Sequence, residues 1–213
     1  MKKVLVLDFG SQYTQLIARK VRELGVFSEI YPFNIPIKTI KDQEFGAIIL
    51  SGGPQSVYEK DAPRLSGDIF EMKIPVLGIC YGLQLMALLR HGKVTLSEKR
   101  EYGFASLKVQ DRSGILRGIE NNSCVWMSHG DKVTKIPPGF IVSGITENCE
   151  TAVIENISER QVGVQFHPEV VHTEKGMDIL SNFLFFIAGL KPVWNMGSFI
   201  DQKTEEIRRK VGR

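Results

Sequence analysis

The sequence predicts an α/β fold: an open, mostly parallel sheet with helices on both faces and an antiparallel excursion late in the chain. Three observations carry this. Residues 4–9, 45–50 and 75–79 are nearly unbroken apolar runs, as expected of strands buried on both faces. Helix-like stretches separate them, as parallel strands require. Between residues 93 and 166 the rhythm changes to short alternating pieces. Asp111-Arg112-Ser113-Gly114 and Pro137-Pro138-Gly139 break them, which reads as antiparallel strands and loops.

Residues 4–9 make the first strand. In residues 13–24, Leu16, Ile17, Val21 and Leu24 share one helical face, and Gly25 stops the helix. Residues 26–32, 45–50 and 75–79 are the second, third and fourth strands. Leu83-Gln84-Leu85-Met86-Ala87-Leu88-Leu89 is helix-like. Within the excursion, residues 105–110 and 151–156 alternate as strands do. The segment from Gln161 is rich in valine and phenylalanine and reads as a strand ending near His167. Residues 178–187 form an apolar helix ended by Gly189. After Met196 the large apolar residues are Phe199, Ile200, Ile207 and Val211, beside the charge pairs Glu205/Arg209 and Glu206/Lys210. Residues 1–190 therefore read as one domain and residues 191–213 as a linker with a short amphipathic helix. Trp194 and Phe199 have no evident core partner.

With 213 residues, 43% hydrophobic and 24% charged, the chain has the composition of a globular domain with a sizeable core. A net charge of +3 is too small to imply nucleic-acid binding. No apolar run reaches membrane length. The chain begins directly with a strand, so no signal peptide is expected. Its cysteines, Cys80, Cys124 and Cys149, have neither a disulfide-framework nor a metal-site spacing. These features predict a cytoplasmic protein without a metal site.

Ligands of such sheets bind beyond the carboxyl ends of the strands. Asp8-Phe9-Gly10-Ser11, Ser51-Gly52-Gly53 and Cys80 all fall there. Gly78-Ile79-Cys80-Tyr81-Gly82 joins strand to helix as glycine, any residue, nucleophile, any residue, glycine. That is the pattern of a sharp turn that pushes the central side chain outward. A cysteine after a buried strand is by default a small core hydrophobe; the flanking glycines argue instead for a nucleophile. A helix N-terminus there favours the thiolate. His167 and Glu169 are two apart on what reads as extended chain, so they share a face and the carboxylate can orient the imidazole. His129, with Asp131 two residues on in an expected loop, competes for the role of base. Ser51-Gly52-Gly53-Pro54 lacks the lysine of a phosphate loop. One of its N–H groups, with that of Tyr81, can form an oxyanion hole.

Together these residues resemble class I (triad) glutamine amidotransferases, and most closely the N-terminal glutaminase domains of the GMP synthetase branch. The resemblance runs nearly end to end, through DFGSQYTQLIARKVRELGV (8–26), ILSGGP (49–54), GICYGLQLMA (78–87), WMSHGDKV (126–133), GVQFHPEVVHT (163–173) and WNMGSFI (194–200). Arg90-His91-Gly92 departs from the diglycine common there. The resemblance implies a flavodoxin-like sheet and hydrolysis of L-glutamine by Cys80, His167 and Glu169. Gly53 and Tyr81 would hold the oxyanion. Gly52, Gln84, Ser128, His129, Gly130 and Asp131 would bind substrate. It also implies a partner, an ATP pyrophosphatase domain in cis or as a separate subunit, which uses ATP and Mg²⁺ to turn XMP into GMP. That domain's Ser-Gly-Gly-x-Asp-Ser loop is missing here, so this chain alone should bind no ATP. Two other readings are an amidotransferase subunit of anthranilate or carbamoyl-phosphate synthesis, and a non-catalytic regulatory module.

Overall fold

The computed structural model describes residues 2–212, apart from the side chains of residues 98, 99, 198, 199, 201–203 and 206. The elements run β1 (Lys3–Asp8), α1 (Thr14–Glu23), β2 (Ser28–Pro32), α2 (Ile37–Lys41), β3 (Phe45–Leu50), α3 (Asp68–Glu71), β4 (Val76–Ile79) and α4 (Tyr81–Leu89). Then come β5 (Lys93–Val109), β6 (Ser123–Lys135), β7 (Ile141–Ile145), β8 (Val153–Asn156), β9 (Gln161–Val164), α5 (Gly176–Ser181) and α6 (Met196–Val211). Among the described residues nine strands form one sheet, ordered β2-β1-β3-β4-β9-β8-β7-β5-β6. The half from β2 to β9 is parallel and the rest antiparallel. With β9 in fifth place, the parallel half has the 2-1-3-4-5 order of flavodoxin-like sheets.

Alternation along the parallel strands builds two cores. Val4, Val6, Ile49, Leu77 and Val164 face α1 and α5, meeting Ile17, Val21, Ile179 and Leu180. Leu5, Leu7, Ile48, Leu50 and Val76 face α4 and α3, meeting Leu83, Met86, Ile69 and Phe70. The inner strands β1, β3, β4 and β9 are thus buried on both faces, which explains the unbroken apolar runs. No helix of the described residues is long and apolar enough to cross a membrane.

Glycine brings α4 unusually close to the sheet. A Cβ on Gly78 would lie 2.7 Å from the Gly82 carbonyl, and one on Gly82 would strike the Leu50 carbonyl. Contact with backbone cannot be relieved by a rotamer change. These two glycines set the distance between β4, β3 and the helix that begins beside Cys80.

Some expectations are corrected. The helix expected over residues 178–187 is α5 followed by wide π-helical turns over Asn182–Ile187. Asn182 there donates to the carbonyls of Ile115 and Arg117, tying the turn to the excursion. The strand from Gln161 ends at Val164, while β6 runs unbroken through Ser128–Asp131. Trp194 does have a partner: its backbone N–H donates to the Gly25 carbonyl at 2.8 Å and its ring stacks on Phe27 at 6.0 Å. The Glu205–Arg209 pair forms on the exposed face of α6, whereas Glu206 and Phe199 lie outside the described side chains.

Gly82→Ala should destabilise the chain by about 1–3 kcal/mol, the usual cost of overpacking. At Gly163 the added methyl would meet side-chain atoms of Leu83 and Met86 rather than backbone, so Gly163→Ala should cost less. Urea denaturation of both variants checks the order; equal losses would contradict the backbone-crossing account.

Candidate active site

Cys80 occupies the turn between β4 and α4 with φ 51° and ψ −105°, a conformation that an L-residue adopts only under constraint. Its N–H donates to the Val164 carbonyl at 2.8 Å, extending the β4–β9 pairing by one residue. Its carbonyl accepts from Gln84 N–H at 3.1 Å, as a helix N-cap does. The side chain is thereby delivered to the carboxyl edge of the sheet.

His167 and Glu169 meet there, though not for the reason the sequence suggested. Both lie beyond β9 in a turn, so strand alternation does not align them. Backbone ties do. His167 N–H donates to the Trp126 carbonyl at 3.0 Å, and the Thr173 hydroxyl donates to the His167 carbonyl at 2.6 Å. Within that frame His167 Nδ1 lies 2.7 Å from Glu169 Oε1. Burial alone would lower the His167 pKa, but hydrogen bonds and charge from Cys80 and Glu169 outweigh it and hold the imidazole well above its ordinary value. The site therefore favours an imidazolium beside the sulfur. The Tyr13 ring packs edge-on against His167, with centroids 5.2 Å apart.

His129, the other candidate base, has its ring tied up on both sides. It lies in β6 and both ring nitrogens are engaged: Nδ1 with the Asp131 carbonyl at 3.0 Å and Nε2 with Glu101 Oε2 at 3.1 Å. Its ring is thus held between a backbone carbonyl and a carboxylate. Although burial raises the Glu101 pKa, His129, Asn148 and Thr146 outweigh that and hold its carboxyl below the usual value. Glu101, His129 and Cys149 also bring potential metal ligands within 4.8 Å of one another, the one such group among the described residues. The Glu101–His129 pair, which Thr146 also bonds, already occupies those donors.

A cleft of about 400 Å³ opens beside Cys80. Gly53, Tyr81, Gln84, Ser128, His129, Gly130 and Asp131 line it. Gly53 packs on Tyr81, where an added Cβ would lie 3.2 Å from the ring. Gly52 turns the other way; a Cβ there would sit 3.1 Å from His167 Cε1. The sequence alone did not point to Ser56, Glu59, Arg100 or Tyr102 in the cleft wall. Nor did it single out Gln165, fully buried behind the sulfur, although Gln165 stands two residues before His167.

The family profile described as "Glutamine amidotransferase class-I" matches residues 5–187. The GMP synthase [glutamine-hydrolyzing] of Brachyspira hyodysenteriae is 51% identical over 210 residues, and that of Natranaerobius thermophilus 53% over 208. The alignments span 99% and 98% of this chain but 41% of each relative. Among solved structures, a candidate GMP synthase subunit from Thermoplasma acidophilum superposes with a TM-score of 0.80 at 30% identity, over 89% of this chain and 94% of that one. A glutamine amidotransferase from Thermotoga maritima shares the fold, with a TM-score of 0.64 at 20% identity over 99% of this chain and 92% of its own.

Two outcomes are expected. A glutamine-like electrophile should label Cys80 rather than Cys149, whose thiol burial pushes up to about 11, or Cys124, which burial also raises. Peptide mapping decides this. The second concerns His167. Its folded pKa lies above the unfolded value of about 6.5. Its protonation therefore stabilises the fold fully below about pH 6.5, and that contribution is lost as pH rises through the folded value. The NMR titration midpoint of His167 should exceed 6.5 and fall in Glu169→Gln. A midpoint at or below 6.5 would contradict the imidazolium site.

Proposed function

Because the chain belongs to the class-I glutamine amidotransferases, we propose that it is the glutaminase part of a GMP synthetase and hydrolyses L-glutamine through a thioester on Cys80. One constellation carries this reading: a strained cysteine at a helix N-terminus, with His167 beside it and Glu169 2.7 Å behind the imidazole.

The thiolate attacks the side-chain amide carbon of glutamine. The resulting oxyanion is held by the N–H groups of Gly53 and Tyr81. As the C–N bond breaks, His167 gives its proton to the departing nitrogen, leaving ammonia and a glutamyl thioester. His167 then takes a proton from water, which attacks the thioester to release glutamate and restore the thiolate. Glu169 keeps Nδ1 protonated and the ring aimed. The cleft offers Arg100 to an α-carboxylate, and Glu59 and Asp131 to an α-ammonium, which suits a zwitterionic substrate.

The ammonia goes to a synthetase segment, which in the relatives would lie in the length that this chain does not span. There ATP and Mg²⁺ would activate XMP for conversion to GMP. Anthranilate and carbamoyl-phosphate synthesis would use the same glutaminase chemistry, but identities of 51–53% to GMP synthases favour the GMP branch. An assembled triad argues against a purely regulatory module.

Ammonia release tests the reading. Cys80→Ala and His167→Ala should each lose about 10³-fold or more, because the two act as one unit, and Glu169→Gln should lose less. The chain alone should be slow and should speed up with a synthetase segment loaded with ATP and XMP. One misplaced oxyanion donor, at Gly53 or Tyr81, costs on the order of 10²–10³ in rate and is the expected lever. Rapid release alone, unchanged by the loaded partner, would refute that coupling. No release under either condition would refute the function.

A further inference from the structure

Cys80 has a second polar neighbour besides His167. The side chain of Gln165 is fully buried, and its Nε2 lies 3.7 Å from Cys80 Sγ. We propose that Gln165 is a further catalytic residue: its amide N–H is a fixed donor to the sulfur and holds it as the attacking thiolate.

The orientation of that amide follows from its surroundings. The Asp131 backbone carbonyl can only accept. Gln84 contacts it at 2.8 Å, so the Gln84 atom there is its NH₂. His129 Nδ1 approaches the same carbonyl, at 3.0 Å, and fixes it further. The second N–H of Gln84 then points to Gln165 at 3.3 Å, where only an oxygen can receive it. That places Oε1 of Gln165 toward Gln84 and leaves its NH₂ facing the sulfur. A backbone carbonyl thus sets the polarity of a chain that ends on the nucleophile. Gln84 is the positioning residue of that chain.

A donor facing sulfur favours the thiolate, because a charged acceptor makes the stronger hydrogen bond. On the cleft side the Ser128 carbonyl, 3.5 Å from Sγ, can only accept and favours the neutral thiol. Gln165 opposes it. The titratable or charged groups facing this region are His167 and, through it, Glu169, with His129, Asp131, Glu59 and Arg100 around the cleft. All of them are retained in the variants below.

The role of Gln165 rests on Cys80 being the nucleophile, but its test needs no glutamine. Iodoacetamide alkylation of Cys80, followed against pH by intact mass, reports the thiolate directly. Gln165→Leu should move the midpoint up by about one pH unit, which makes alkylation roughly tenfold slower at pH values below the midpoint. Gln165→Glu, of the same size but carrying a like charge, should move it up at least as far. Gln84→Leu, which releases the Gln165 amide, should give a smaller upward shift. In the unaltered chain the Gln165 side-chain NH₂ resonances should change with the Cys80 midpoint, a readout that holds even if a variant fails to fold. Unmoved midpoints in folded Gln165 variants, or NH₂ resonances indifferent to Cys80 titration, would overturn the assignment. Absence of glutamine turnover with these shifts intact would overturn the proposed function and leave the role of Gln165 standing.

Discussion

The site depends on one backbone constraint, the left-handed turn at Cys80. Its φ of 51° is unfavourable for any residue with a Cβ and persists only where its neighbours over-determine it. Here they do. The Cys80 N–H is tied to β9 through the Val164 carbonyl, its carbonyl starts α4, and the Gly78–Gly82 crossing presses the helix onto β3.

The second condition is electrostatic. An uncharged thiol is a poor nucleophile, so the site needs partners that favour the charged form. His167, whose neighbours favour its protonated form, supplies a cation beside that sulfur. The buried Glu101–His129 pair does separate work: it fixes the Asp131 carbonyl, and with it Gln84 and the cleft wall. Two histidines thus each face a glutamate, and they differ in what the second nitrogen meets, the Cys80 sulfur or a backbone carbonyl.

The parallel half of the fold was legible because strands buried on both faces leave continuous apolar runs, as at Val4–Leu7 and Ile48–Leu50. The elbow was legible because glycines at 78 and 82 bracket the cysteine in sequence, although the backbone that Gly82 must clear, at Leu50, is distant in the chain. The i, i+2 spacing was a weaker guide. It placed His167 and Glu169 on a strand and His129 and Asp131 in a loop, and the structure reverses both placements. His167 still meets Glu169 because contacts from Trp126 and Thr173, distant or unpatterned in sequence, shape the turn. Gln165 was overlooked for the same reason. Its role depends on Gln84, 81 residues earlier, and on Asp131, and no local pattern encodes such a link. The π-helical turns after α5 answer ties from Asn182 to a segment 65 and 67 residues away.

The central claim is that Cys80 carries the acyl group. The most direct measurement is rapid acid quenching of the chain mixed with L-glutamine, followed by peptide mass analysis. The account predicts a transient adduct, equal in mass to glutamine less ammonia, on the peptide containing Cys80, and its accumulation when deacylation is slowed. Glutamine turnover with no adduct on Cys80, or with the adduct on Cys124 or Cys149, would contradict it.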